Sequence, residues 1–513
     1  MAFAGNASGR WSQLDGQRRG LITRCERYAA FTLPKLCTPN GYNQNNDELA
    51  HDFQAVGPQV VNHLANKMML ALFAPSRPFF RLDADQATQS EIEQAGIPQT
   101  ELTAKLAEAE RFAVKELDRM ALRPKLYEVL KHLIVTGNVL LCLEDDSARV
   151  IGIKKYCVRR SLTGKLLELI IADKVVFDEL EPEVQEQVRK YGSFEGDKMV
   201  TLYRWIKRNA TGEYQMTQWV DGYHLPKEFD GKWPEAQLPY RVLTWDLSDD
   251  ANYGTGLVED YRADFAGLST LSKAQVVGAV LASEFRWLVN PAGMTKVDDL
   301  ENSENGSALP GSEGDVTIIQ SGKSADLQIT MSMVAEYVNR IGRGFLLGAQ
   351  GIRDAERVTA EEIRLVANEL ETALGGAYSR TAVELQIPMA YWLMGKTGIG
   401  IDGSGFTPTV VTGLDALSRN GDLEDLKLWL ADMAAVAQLP PPLLMELKVS
   451  AIGQALAAPR RVDITAFLKS PEEKAAEQEA ARAAEMETEA ASAGIQAGAA
   501  VAAQPPTPEG TQV

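Results

Sequence analysis

The stretch from Thr359 to Gly395 constrains this chain more than any other, because it reads as one long helix. Thr359 and Glu362 have the spacing of a capping box, in which two side chains satisfy the free N–H groups of a helix start. Apolar residues then recur at Ile363, Val366, Leu370, Leu374, Ala377, Val383 and Leu385, close to a 3.6-residue period. Carried to Gly395, such a helix is about 55 Å long at 1.5 Å per residue. The adjacent Gly375 and Gly376 weaken its hydrogen-bond ladder and predict a kink midway. A loop of alternating charge (Arg353, Asp354, Glu356, Arg357) leads into it and suggests a part of a large assembly. Periodicity alone favours a long core helix of an α-rich domain.

With 513 residues, the length implies about three or four domains and ample chain for a core. Cys25, Cys37, Cys142 and Cys157 form no CxxC pair and no regular framework, so reduced cytosolic thiols are expected. Met1 to Gly5 lacks the basic and apolar regions of a secretory signal. Apolar stretches such as Val276–Ala282 fall short of the roughly 18 residues of a membrane helix, so a soluble chain without membrane contact is expected. The net charge of −18 argues against a protein that grips nucleic acid over its whole surface. Solubility explains most of the acid.

The chain can be divided coarsely. Residues 12–75 look helical, including an amphipathic run from Val60 to Phe73; Pro75, Pro78 and Phe79-Phe80 break it and begin a strand. Residues 101–143 return to a helical pattern. From Arg149 to Trp245 alternation predicts strands, best at Leu167–Ala172 and Met199–Trp205, with turns at Asn209–Gly212 and Asp221-Gly222. A long helix is predicted over Val258–Ser283, ended by Asn290-Pro291, and a third over Ser332–Phe345. Between them lies a polar, turn-rich insertion with one strand at Val316–Ile319. The residue pattern alone favours an ordinary helical hairpin with a surface loop. After Gly395 come a glycine-rich loop, short helices broken at Pro440–Pro442, and an Ala/Glu-rich tail ending in residues of disordered composition.

No catalytic site is visible. Gly322-Lys323-Ser324 and Gly395-Lys396-Thr397 resemble the end of a P-loop, but Thr317 and Ala390 stand where its first glycine is required. His51, His63, His132 and His224 are isolated, without metal-ligand spacing. Asp145-Asp146 and Asp298-Asp299 read as solvated loop acids, and no nucleophile motif such as GxSxG occurs. No metal and no cofactor is expected.

Five groups of residues carry a resemblance. They are Phe53–Gly57 with Leu64–Phe73; Val135-Thr136-Gly137-Asn138-Val139-Leu140-Leu141; Leu288–Gly293; Arg357–Arg364; and Glu369–Glu371 with Leu374–Tyr378 and Glu384–Pro388. In this order they resemble the portal, or head-to-tail connecting, proteins of short-tailed phages, over the chain up to about residue 390. The resemblance implies an α+β, mostly helical portal fold assembled into a ring, usually of twelve subunits. It assigns residues 1–255 to a wing, 256–286 to a first stem helix, 287–325 to a clip and 326–347 to a second stem helix. A tunnel loop at 348–357 follows, then a long kinked wing helix at 358–395 and a crown at 396–465. Residues 466–513 form a C-terminal helical barrel or a disordered tail.

By the same resemblance the protein is no enzyme but a DNA channel at a capsid vertex, for packaging, retention and ejection of the genome. It belongs to the virion and assembles in the host cytoplasm. Its partners are double-stranded DNA without sequence preference, major capsid protein and scaffold, the terminase ATPase, a tail adaptor, and internal core or ejection proteins. Arg353 and Arg357, with Gln350 and Arg343, are the candidate channel residues. Arginines there can touch phosphates without reading sequence, while Arg357 can instead pair with Glu361 along its own helix. The alternatives are the packaging terminase itself, which lacks its P-loop here, and a tail adaptor or scaffold.

Overall fold

The structure is a computed structural model. It describes residues 5–74, 78–95, 99–144, 147–192, 194–283, 286–319, 324–348, 360–397, 405–410, 429–436, 451–452 and 456. The chain divides into two compact units, Met1–Asp415 and Ala416–Val513. In the second, residues 429–436 are helical and Trp429 is buried; most of the expected crown and all of residues 466–513 lie outside the described residues.

The first unit opens with α1 (Ala7–Gln17) and α2 (Arg19–Phe31). Asn6 caps α1 by accepting the Ser8 N–H at 3.0 Å. Between the two helices the buried Arg18 donates to the carbonyls of Ile153, Lys154 and Tyr156, tying this start to strands that come much later. Residues 37–55 form no helix, which corrects the helical reading of 12–75. Helix α3 (Val56–Leu72) follows, with Val60, Val61, Leu64, Ala65 and Met68 fully buried. Next come strand β1 (Phe80–Ala84) and helices α4 (Gln86–Gln94), α5 (Gln99–Arg119) and α6 (Leu122–Thr136).

Helix α6 stops at Gly137, where φ is +71° and a Cβ would lie 2.3 Å from the Thr255 carbonyl carbon. Only glycine fits there. The Asn138 side chain accepts the Gly254 N–H (2.8 Å) and donates to the Gly254 carbonyl (2.7 Å). The Val135–Leu141 segment is thus a pinned corner between helix and strand. Helix was expected up to residue 143, but Asn138–Leu143 is strand β2, buried at every position. A continuous apolar run looks the same in a buried strand as in a buried helix.

From Ala148 onward the chain is β-rich, as its alternation predicts. Strands β3 (Ala148–Gly152), β4 (Tyr156–Arg160) and β5 (Leu166–Val176) precede α7 (Pro182–Arg189). Then follow β6 (Met199–Arg208), β7 (Tyr214–Val220), β8 (Tyr223–His224), β9 (Gly231–Trp233) and β10 (Tyr240–Thr244). Strands β10, β2 and β3 form one antiparallel sheet; β4 to β8 form a second in chain order, with β9 paired to β7.

Helix α8 (Leu257–Asp260) and helix α9 (Arg262–Ser283) are separated at Tyr261. The hairpin-like insertion holds β11 (Arg286–Val289), α10 (Val297–Glu301) and β12 (Val316–Ile319), with β11 antiparallel to β12. Asn290-Pro291 therefore ends a strand rather than the long helix. Helix α11 (Ser324–Gly344) starts earlier than the expected Ser332. The single long helix expected over 359–395 is divided into α12 (Ala360–Leu374), α13 (Gly376–Thr381), a π turn at Ala382–Gln386 and α14 (Ile387–Lys396). Gly375, at φ +50° and ψ −121°, makes the break, so the predicted kink is present. Thr359, and with it the expected cap, lies outside the described residues. Strand β13 (Phe406–Val410) closes the unit by pairing antiparallel with β1. Helix α3 sits at the centre, packed against α6, α11 and α12. The unit is a mixed α+β body.

Candidate channel segment and its anchor

Helices α9 and α11 run antiparallel, since Tyr261 before α9 meets Gly344 at the end of α11, while Gly278 near the end of α9 meets Leu327 near the start of α11. A Cβ at Gly344 would lie 2.2 Å from the Tyr261 ring, so the close approach depends on glycine. At this end the hairpin is locked into the core. Phe265, Leu268, Ile341 and Phe345 are buried, Phe345 meets Phe265 edge-on at 5.8 Å, and Phe31 stacks on Phe265 at 6.4 Å. An Arg340–Asp264 ion pair adds a polar tie between the two helices.

The far half of the hairpin is different. Val276, Val277 and Leu281 on α9 are 52%, 49% and 53% exposed, and Ile329 and Met331 on α11 are 60% and 62% exposed. Isolated exposed apolar residues are ordinary, but contiguous ones on one element mark an interaction surface.

The inner end of α11 closes with two bonds, Leu347 N–H to the Gly342 carbonyl (2.7 Å) and Leu346 N–H to the Arg343 carbonyl (3.1 Å). This is a Schellman ending, which places one residue in the left-handed region and usually puts glycine there. Here the residue is Leu346, at φ +57°. Its carbonyl accepts from Lys67 Nζ at 2.9 Å and lies 3.2 Å from His63 Nε2, both on α3. Lys67 also pairs with Glu369 of α12 at 2.9 Å; the lysine side chain is only 4% exposed and the glutamate 44%. Burial, and then the nearby Lys67 charge, lower the His63 pKa, so the ring is neutral at neutral pH and can donate from Nε2.

Of the expected channel residues, Arg343 is placed, exposed in the last turn of α11. Gln350, Arg353 and Arg357 lie outside the described residues, as do Gly322 and Lys323. Lys396 ends α14 beside the Trp392 ring, 5.9 Å from its centroid. The histidines stand apart: His132 is buried in α6, and His224 packs edge-on against Trp219 at 4.7 Å. Among the described residues no group of His, Cys, Asp and Glu could hold a metal ion, and no helix is long and apolar enough to cross a membrane. The four cysteines are buried and unpaired.

Nothing in the sequence joins Lys67, His63 and Glu369, although Lys67 and Glu369 both stand in the blocks that carry the resemblance. One signal was present: a lysine inside the apolar run from Val60 to Phe73. A lysine there must either reach water or find a buried partner.

Residues 4–399 match the model of the bacteriophage head to tail connecting protein family. The chain belongs to that family. Its relatives include the portal protein of Pseudomonas phage phiKMV, 34% identical over 91% of this chain and 93% of that one. The portal proteins of Enterobacteria phage SP6 (33% identical, 84% of each chain) and Escherichia phage T7 (30%, 84% of this chain and 82% of that one) are similar over nearly the same span. The chain is thus a structural head-to-tail connector of the phage particle and not an enzyme, which sets aside the terminase reading.

Proposed function

We propose that this chain is a portal subunit. Copies close into a ring, with twelve the expected number, at one capsid vertex, and double-stranded DNA passes through the centre during packaging, retention and ejection. The observation that carries this reading is the exposed apolar face on the far half of α9 and α11. One hairpin leaves it uncovered, and the exposed apolar residues of α9 in one copy can be covered by those of α11 in the next. Such a head-to-tail contact either closes into a ring or grows into a filament.

In this arrangement α9 and α11 form the stem, and the β11–β12 insertion, with Leu288, Met294 and Val297 exposed, forms the clip. The clip docks the packaging ATPase and later the tail adaptor. The wing meets major capsid protein and scaffold, and internal core proteins meet the opposite end. Assembly takes place in the host cytoplasm.

Arg343, Gln350, Arg353 and Arg357 form the set facing DNA, with Arg353 foremost. An arginine repeated around a ring supplies phosphate contacts that ignore sequence. A packaging reaction with separately supplied ATPase tests this. Arg353→Ala rings should assemble normally yet retain less DNA, with the difference shrinking at high salt. Normal packaging and retention by the variant would remove Arg353 from the channel.

A further inference from the structure

Leu346 sits where a Schellman ending normally has glycine, and a leucine in that conformation brings its Cβ against the backbone. Glycines were available nearby: Gly342, Gly344 and Gly348 all flank it. The chain nevertheless turns at Leu346, and what distinguishes this position is the environment of its carbonyl. Two donors from α3 converge on that oxygen, the Lys67 ammonium at 2.9 Å and the His63 ring at 3.2 Å. The same ammonium reaches across to Glu369 of α12 at 2.9 Å.

We propose that Lys67 is a positioning residue of the channel: its buried ammonium holds the left-handed turn at Leu346 and joins the end of α11 to α12. The proposal rests on the portal reading. One lysine from the central helix thereby fixes where the chain leaves the second stem helix, and with it the placement of Arg343. Its task differs from that of an ordinary buried ion pair. Replacing a buried pair by apolar groups is often neutral for stability, whereas stranding one charge is costly. Glu369 is 44% exposed, so Lys67→Met leaves its carboxylate in water rather than stranded, and an ion pair serving stability alone predicts a tolerated Lys67→Met. A clamp on a strained turn predicts a variant that folds but loses the turn.

The experiment compares wild type, Lys67→Met, Leu346→Gly and the double variant by hydrogen exchange at residues 345–348 in assembled particles, with DNA retention measured in parallel. Glycine adopts the left-handed conformation without strain, so Leu346→Gly should remove the need for the clamp. Lys67→Met particles should exchange at these amides about ten-fold faster or more and retain less DNA, with the double variant returning towards wild type on both counts. If Lys67→Met alone fails to assemble but the double variant assembles, the proposal is equally supported. Unchanged exchange in Lys67→Met overturns it, as does a double variant no better than Lys67→Met in exchange or assembly. A wild-type chain that forms no ring would overturn the portal reading instead, and the exchange comparison is then made on the free chains.

Discussion

His132 lies buried on α6, and its Nδ1 has no partner among the described residues. Burial pushes its pKa down to about 4. Unfolded, the ring titrates at its ordinary value near 6.5. Between these values the unfolded chain holds the extra proton, so stability rises with pH there. The contribution is complete above about pH 6.5 and is lost as pH falls through about 4, on the order of 3 kcal/mol in all. His132→Leu should therefore lose about 3 kcal/mol less than the parent between pH 7 and pH 4 in urea unfolding. Equal losses would show that other groups carry the acid sensitivity. At this scale the sequence was only partly legible. Gly137 and Asn138 stood in a recognisable block, but their reason is the segment around Gly254, more than a hundred residues away. Lys67 is similar, because its partners Leu346 and Glu369 are brought to it only by the packing of α11 and α12 on α3.

The helices were more legible than their limits. A 3.6-residue stripe marked α9, and Gly375-Gly376 marked the break after α12. Helix α11 begins before the predicted Ser332 because the apolar stripe is regular only from Met331. The earlier turns, with Asp326 near the N-terminus and Ile329 exposed, pack too little to declare a face. Strand β2 was missed for the opposite reason: its six residues are all buried, so no alternation remained to be read. The apolar residues on the far half of α9 and α11 lead to a prediction at this scale. Val277→Asp should leave the helix content of the chain unchanged yet prevent ring formation, because a charge buried between copies has no partner there. Circular dichroism with light scattering reads both quantities. Rings formed at the parental concentration would mean that this face stays in solvent.

For the whole molecule, five groups of residues in one order were enough to indicate the family, and the family model covers residues 4–399. A mixed α+β region, the helical hairpin and its β insertion follow one another along the chain. The segment 348–357, proposed as the channel loop, reads in the sequence only as a charged segment between helices, since neither periodicity nor a motif fixes where such side chains face. The acidic balance of −18 fits a conduit that must not adhere to its cargo along its length. The central claim is that copies of this chain close on themselves around an open axis. Single-particle imaging of the purified protein at micromolar concentration, with its mass determined in the same buffer, tests it most directly. A closed ring with cyclic symmetry, a central hole and a mass near twelve subunits is the expected result, and a stable monomer, or open filaments without a closed particle, would contradict it.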